Sequence, residues 1–178
     1  SRKIVNISKK YGAYVPFLRP KNISGDKSTD IEYIKHAINW FKQKEKKVPT
    51  HWILLRPTTP FRNPKIIDGA IKKIIQNKIA TSLVSVHEFP ESPAKMFGMK
   101  NNFLHGLSPF DPRDEYFSLP RQSFPKTFFG NGYIDIIKTK TVLENNSMYG
   151  TGMLGFETDD IGEIDIKEDI EKLKLKII

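Results

Sequence analysis

Residues 51–86 read HWILLRPTTPFRNPKIIDGAIKKIIQNKIATSLVSV, and this stretch decides the fold class. The apolar run His51 to Leu55 predicts a buried strand, because the prolines that follow cannot continue a hydrogen-bonded ladder. Asn63 as N-cap and Pro64 at the first helical position predict a helix. Its buried side carries Ile66, Ile67, Ala70, Ile71, Ile74 and Ile75. A second strand is predicted at residues 81–86, so short loops join strand, helix and strand, which indicates a βαβ unit in an α/β sheet.

The segment before this unit contains two further helical patterns. An apolar stripe at residues 4, 7 and 11 predicts an N-terminal helix with Gly12 at its C-cap, followed by a short strand or extended segment at 15–18. Thr29 and Glu32 have the spacing of a capping box, which predicts the start of a helix. The apolar stripe of that helix is Ile31, Ile34, Ile38 and Phe41.

Beyond residue 89 the regular pattern breaks and then returns. Prolines, glycines and aromatic residues crowd the stretch from Phe89 to Phe129, which predicts a loop-rich excursion. A strand at 133–137, a short helix near 139–145, a strand near 153–156 and a terminal helix after Asp165 follow. Since no linker composition interrupts the chain, residues 1–178 are predicted to form a single domain.

Composition limits the classes of function. The 178 residues carry 29 basic and 20 acidic side chains, a net charge of +9, and no cysteine. The charge favours an anionic partner, which leaves nucleic acid, a membrane surface, and phosphorylated or carboxylated small molecules. The missing cysteines exclude disulfides, thiolate metal sites and thiol nucleophiles. No apolar run approaches the roughly 20 residues of a membrane span, so we expect a cytoplasmic protein with no membrane partner.

Polar side chains follow the first predicted strand directly. In α/β sheets ligands bind beyond the carboxyl ends of the strands, and this position is occupied by Arg56, Thr58, Thr59 and Arg62. Prolines 57 and 60 stiffen the loop and would hold a guanidinium and hydroxyls in place. A proline-capped turn with solvent-exposed arginines is an equal interpretation of the same residues.

Other candidates follow the second predicted strand, precede the strand at 133–137 or open the last helix, and each has a structural alternative. Arg121 suits bidentate capture of a carboxylate, and Gln122 lies beside it in the sequence. The Asn131-Gly132 pair offers a donor and an acceptor to sugar hydroxyls, but it is also a common turn pair. Lys95 can neutralise an anion. Asp165 is either a helix N-cap or a ligand for Mg²⁺, which prefers carboxylate oxygens. No phosphate loop, dinucleotide fingerprint or nucleophile elbow is present.

Four blocks in order resemble the acylneuraminate cytidylyltransferases, the CMP-sialic acid synthetase family. They are residues 9–20, with Lys9-Lys10-Tyr11-Gly12-Ala13 and Phe17-Leu18-Arg19-Pro20; residues 54–62; residues 121–132, with Arg121-Gln122-Ser123-Phe124-Pro125 and Asn131-Gly132; and residues 164–166. The resemblance implies a three-layer α/β sandwich with a mostly parallel, Rossmann-like nucleotidyltransferase sheet. It also implies that residues 89–130 form a dimerisation and substrate excursion in a homodimer.

The reaction implied by this resemblance is attack of a sugar acid's anomeric hydroxyl on the α-phosphate of CTP, with release of pyrophosphate and with Mg²⁺ as cofactor. The partners would be CTP and an acidic nine-carbon sugar, not nucleic acid. By resemblance, Arg19 and the 26–30 loop with Thr29 lie on the nucleotide side. The resemblance also makes Asp165 the metal ligand, and it makes Asp165 and Arg121 the catalytic residues. Residues on the sugar side would be Arg56, Thr58, Lys95, Arg121, Gln122, Asn131 and Gly132.

Three departures from the family pattern qualify this assignment. The family begins with a basic glycine-containing loop that grips CTP, and this sequence has no counterpart, so we expect a fragment that lacks its N-terminal portion or a degenerate relative. Arg56 stands where sialic acid synthetases commonly have glutamine, which suggests a legionaminic or pseudaminic acid as substrate. Lys167 replaces a frequent second aspartate. The alternatives are an inactive relative that binds a sugar acid and a basic nucleic-acid-binding module with stacking aromatics such as Phe103 and Phe117.

Overall fold

The apolar run at residue 51 forms a strand, as predicted, in a computed structural model that describes residues 1–108, 111–159, 162–164 and 166–175. Within these residues the helices are α1 (Arg2–Lys10), α2 (Asp30–Lys44), α3 (Pro64–Gln76), α4 (Thr139–Asn145) and α5 (Lys167–Leu175). The strands are β1 (His51–Leu54), β2 (Ser82–Phe89), β3 (Phe97–Lys100), β4 (Phe103–Gly106), β5 (Thr127–Lys138) and β6 (Met153–Glu157).

The central sheet has the strand order β1-β5-β2-β6. Strand β5 runs antiparallel to both β1 and β2, whereas β6 runs parallel to β2. Three of the four strands therefore share one direction, and the predicted α/β fold is confirmed. The two strands of the predicted βαβ unit are parallel but are not neighbours, because β5 lies between them and pairs with β1 along one side and with β2 along the other.

Helices cover both faces of this sheet, and adjacent residues of β5 show why. Successive side chains of a strand point to opposite faces, so Ile136 packs in one apolar cluster and Ile137 in another. The first cluster joins the sheet to α3 through Ala70 and Ile74. The second joins it to α2 and α4 through Ile34, Ile38 and Val142. The three-layer arrangement follows from these two cores.

The sequence signals for helix starts are also confirmed. The Glu32 carboxylate accepts a hydrogen bond from Thr29 N at 2.7 Å, which completes the capping-box contact at the start of α2. The Asn63 side chain accepts from Lys65 N at 3.0 Å, and Pro64 occupies the first turn of α3. Both helices thus begin where their capping residues predict.

The excursion is shorter than predicted, because β2 continues to Phe89 and β5 begins at Thr127. Between them lie the hairpin of β3 and β4 and several 3₁₀ turns. Residues 15–18, predicted as a short strand or extended segment, are not part of a strand. Among the described residues, no helix is both long and apolar enough to cross a bilayer.

Candidate active site

The carboxyl ends of β1, β2 and β6 meet at one edge of the sheet, where β5 is interrupted by a bulge. Val84 pairs with Asp135 and Val86 with Gly130, so Ser85 alone faces four residues of β5, 131–134. Ser85 Oγ accepts a hydrogen bond from Ile134 N at 2.9 Å, which satisfies one backbone group that the bulge removes from the ladder. The bulge places the Asn131-Gly132 pair at the edge where ligands are expected.

Arg62 joins the loop after β1 to this bulge. Its guanidinium donates to Arg56 O at 2.6 Å and to Thr59 O on its own loop, and to Tyr133 O at 2.7 Å and Gly132 O at 3.0 Å on the bulge. Burial lowers the pKa of Arg62, although the group stays charged because its ordinary pKa is far above neutrality. Arg62 therefore holds together two segments that are distant in sequence and is not a free ligand-binding cation.

Gly132 allows the third segment of the edge to approach. Its φ of +63° lies in the left-handed region that favours glycine. A Cβ at this position would collide with Glu163 Oε1 and lie 3.1 Å from Thr59 Oγ1. Ile164 N also donates to Thr58 O at 2.8 Å. Residues 163–164, immediately before Asp165, are thus anchored on both the loop and the bulge.

Arg56 lies between two carboxylates. Its Nη2 is 2.9 Å from Asp30 Oδ2 and 3.4 Å from Asp135 Oδ2. Burial lowers the pKa of Arg56, but the bond to Asp30 and the charges of both aspartates outweigh it and raise the pKa above its ordinary value. Among the described residues, Arg56 Nε and Nη1 have no hydrogen-bond partner. A guanidinium held at one nitrogen thus keeps donors for an anionic ligand.

Asp135 is the buried member of this group, with 7% of its side chain exposed. Tyr149 Oη donates to Asp135 Oδ2 at 3.4 Å. Burial raises the pKa of Asp135, and the Arg56 charge and the two hydrogen bonds oppose the shift only in part. The carboxylate therefore depends on its neighbours to remain ionised at this depth.

The predicted nucleotide-side residues lie next to Arg56. Burial and the Asp30 charge raise the pKa of Tyr33 to about 12, so its phenol stays protonated. The Arg19 guanidinium lies over the Tyr33 ring, 5.7 Å from the centroid. Thr29 caps the helix on which Asp30 and Tyr33 lie. Arg19, Thr29 and Arg56 are therefore near one another, as the resemblance requires, although nucleotide binding by Arg19 and Thr29 stays a prediction.

The remaining predicted residues lie at the far end of the β2–β5 ribbon. Arg121 and Gln122 border a cavity of about 310 Å³ that is also lined by Glu88, Phe124 and Thr127. Lys95 Nζ donates to Leu119 O at 2.7 Å. At ~3.3 Å per strand residue, Thr127 is about 13 Å from Asn131. The structure thus divides the predicted sugar-side residues between the sheet edge and this excursion cavity.

Two predicted positions prove to be tied into the protein. Asn131 is 4% exposed, its Nδ2 donates to Thr158 Oγ1 at 2.7 Å, and its Oδ1 accepts from Tyr133 N at 3.3 Å. Both polar ends of this side chain are therefore occupied, which suits a role in shaping the bulge. Thr58 contributes its carbonyl, to Ile164 N.

Sequence reasoning missed Asp135, Tyr149 and Glu163. One signal for Asp135 was available, since a charged residue interrupts an apolar strand at Tyr133-Ile134-Asp135-Ile136-Ile137. A lone buried carboxylate requires a partner, and Arg56 is that partner. Nothing in the local pattern marks Tyr149 or Glu163, whose contacts depend on the fold.

The described residues do not provide a metal site. Among them, no group of three His, Asp or Glu side chains is arranged to hold an ion. Asp30 and Asp135 are both engaged by the cation of Arg56, which leaves the group with a net charge of only −1 to offer Mg²⁺. Asp165, the predicted ligand, lies outside the described residues.

The fold and the polar edge of the sheet are consistent with an α/β nucleotidyltransferase. No family model matches the chain. It is 25% identical over 175 residues to a pseudaminic acid cytidylyltransferase of Campylobacter jejuni, covering 97% of this chain and 73% of the relative. It is 27% identical over 179 residues to a CMP-N,N'-diacetyllegionaminic acid synthase of Legionella pneumophila, covering 96% and 71%.

An N-acylneuraminate cytidylyltransferase of Escherichia coli is 28% identical over 165 residues, which cover 93% of this chain and 37% of the relative. The resemblance found in the sequence is confirmed: the chain is homologous, over most of its length, to sugar-acid cytidylyltransferases.

Proposed function

We propose that this protein transfers CMP from CTP to an acidic nine-carbon sugar and releases pyrophosphate. The observation that carries the proposal is homology over more than nine tenths of the chain to cytidylyltransferases of three such sugar acids. The sheet edge supports it, since Arg56 has donors there without a partner in the described part of the chain, beside the segment that precedes Asp165.

The transfer itself requires positioning more than covalent help from the protein. The anomeric oxygen forms a bond to the α-phosphorus, its proton passes to solvent, and the bond to pyrophosphate breaks. In the proposed mechanism Arg56 orients the carboxylate of the sugar. Three residues of the excursion also bind the sugar, namely Arg121, Gln122 and Lys95. On the other side, Arg19 and Thr29 lie next to the nucleotide. Holding two reactants in line supplies most of the rate enhancement available to such a site.

The preferred sugar in this proposal is a pseudaminic or legionaminic acid. Arg56 replaces the glutamine common in sialic acid synthetases, and the relatives include enzymes named for pseudaminic and diacetyllegionaminic acids.

The direct test is pyrophosphate release by the full-length protein with CTP, Mg²⁺ and a panel of pseudaminic, legionaminic and N-acylneuraminic acids. We expect release with at least one acid and formation of the CMP-sugar. Binding of a sugar acid without release would favour the inactive relative. No release and no binding across the panel would reject the proposal.

Mg²⁺ with Asp165 as a ligand is also part of the proposal. The test is Mn²⁺ binding followed by electron paramagnetic resonance in the presence of CTP, for the wild type and Asp165→Ala. We expect weaker Mn²⁺ binding by the variant with an unchanged melting temperature. Equal binding would contradict the metal role, and a lower melting temperature alone would favour the helix cap.

A homodimer formed through the excursion completes the proposal, together with a single domain and a cytoplasmic location. The β3–β4 hairpin exposes Met99, Phe103 and Leu104, at 69%, 78% and 60%, and such a patch is typical of an interface. Light scattering should show a dimer that Phe103→Ser weakens. The control is Ile79→Ser, which removes an apolar side chain 90% exposed outside the hairpin.

A further inference from the structure

The contacts of Arg56 suggest how its orientation is set. Both carboxylates approach the same nitrogen, Nη2, with Asp30 at the start of α2 and Asp135 in the middle of β5. We propose that Asp30 and Asp135 are positioning residues that hold Arg56 so that its Nε and Nη1 donate to the carboxylate of the sugar acid. This inference rests on the proposed function and assigns a role to Asp135, which the family resemblance does not mark.

Asp135 is the fixed point of this arrangement. It lies in the central part of the sheet and is nearly buried, whereas the side chains of Asp30 and Arg56 are about one third exposed, at 35% and 36%. Tyr149 holds the same oxygen that contacts Arg56. A long side chain such as arginine loses much rotamer freedom when it binds. Holding it beforehand lowers that cost, so the ligand meets an ordered guanidinium.

The charges of the group add selectivity. The two aspartates and the two arginines, Arg56 and Arg19, sum to zero, and both tyrosines, Tyr33 and Tyr149, are neutral because their pKa values are raised. A bare arginine would attract the triphosphate of CTP as readily as a sugar carboxylate. Carboxylates beside Arg56 repel a highly charged anion more than a singly charged one, which favours the sugar acid.

The first measurement is steady-state kinetics of Asp135→Asn, which keeps the size of the side chain and removes its charge. We expect the KM for the sugar acid to rise about tenfold, while kcat and the KM for CTP change less than about twofold. Tyr149→Phe should raise the same KM about two- to threefold, since it removes one hydrogen bond. The control is Glu144→Gln, an exposed carboxylate on α4 that, among the described residues, forms an ion pair only with Lys140.

The second measurement separates positioning from a general structural effect. If Asp135 acts through Arg56, then in the Arg56→Gln background the substitution Asp135→Asn should change the KM for the sugar acid less than about twofold. An equal effect in both backgrounds would overturn the proposal, as would an unchanged KM in folded Asp135→Asn.

Melting temperatures provide a readout that does not depend on activity. Arg56→Gln leaves the buried Asp135 without its cation, so we expect it to lower the Tm, and Asp135→Asn in the same chain should restore part of that loss. Additive effects on Tm would contradict the coupling. If the wild type releases no pyrophosphate, the proposed function fails, and this cycle still decides whether Asp135 and Arg56 are coupled.

Discussion

Arg62 connects the two loops of the candidate site, and its removal is the most informative test of that architecture. Arg62→Met keeps a long apolar stem but removes the donors to four backbone carbonyls, those of Arg56, Thr59, Gly132 and Tyr133. We expect both lower stability and a weaker site, because the loop after β1 and the β5 bulge would no longer be held together.

The magnitude follows from these four bonds. A hydrogen bond with a charged partner contributes roughly 1.5–3 kcal/mol. Since Arg62 is only partly buried, water replaces part of each loss, and we take about 1 kcal/mol for each of the four acceptors. The free energy of unfolding should then fall by ~4 kcal/mol. For a chain of this size that is a decrease in Tm of roughly 8–16 °C.

Thermal unfolding followed by circular dichroism measures this change. Arg62→Lys keeps the charge without the planar fork, so its Tm should lie between those of the wild type and Arg62→Met. The control is Lys65→Met, which removes a nearby exposed cation whose side chain makes no hydrogen bond among the described residues. If Arg62→Met lowers Tm by less than about 2 °C, or only as much as Lys65→Met does, Arg62 is not what holds the loop after β1 and the β5 bulge together.

Three further predictions concern the same edge. Gly132→Ala should cost about 1–3 kcal/mol in urea unfolding, because its φ is +63° and a Cβ would displace Glu163, whereas Gly130→Ala, with open space around it, should cost less than about 1 kcal/mol. Burial raises the pKa of Asp135, so the folded state binds the carboxyl proton more readily than the unfolded state does. The contribution of protonated Asp135 to stability is therefore lost as pH rises. The Tm of the wild type minus the Tm of Asp135→Asn should therefore increase as pH falls from 7 towards about 4. A difference that stays constant over this range would contradict the prediction. Arg56→Gln should lower kcat/KM by about tenfold for the pseudaminic, legionaminic and N-acylneuraminic acids alike, because each carries the carboxylate that Arg56 is proposed to bind, and an unchanged kcat/KM would contradict that contact.

Much of the fold was predictable because its signals are local. The capping pairs Thr29 with Glu32 and Asn63 with Pro64 predict where α2 and α3 begin, since each cap satisfies backbone groups within one turn. The apolar runs similarly predict β1, β2 and the second half of β5. The position of β5 between β1 and β2 was not predictable in this way, because strand order depends on which distant segments pair.

The candidate site was predictable only where a motif marked it. The loop after β1 lies at the carboxyl end of a strand, as predicted, and the structure brings the Asn131-Gly132 pair next to it. The different roles of the two arginines in that loop were not visible: Arg62 binds backbone carbonyls, whereas Arg56 Nε and Nη1 have no partner among the residues that the structure describes. Two arginines in one loop look alike in sequence, and only their surroundings distinguish them.

The sequence by itself determined the class of structure and the relationship to sugar-acid cytidylyltransferases, because periodicity, caps and ordered motif blocks are written along the chain. Only the tertiary structure decided which charges meet. Asp135 reaches Arg56 across 79 residues of sequence, and the bulge of β5 brings Gly132 against Glu163. Contacts of this kind arise from the register of the sheet and the packing of distant segments, and these set the geometry of the site.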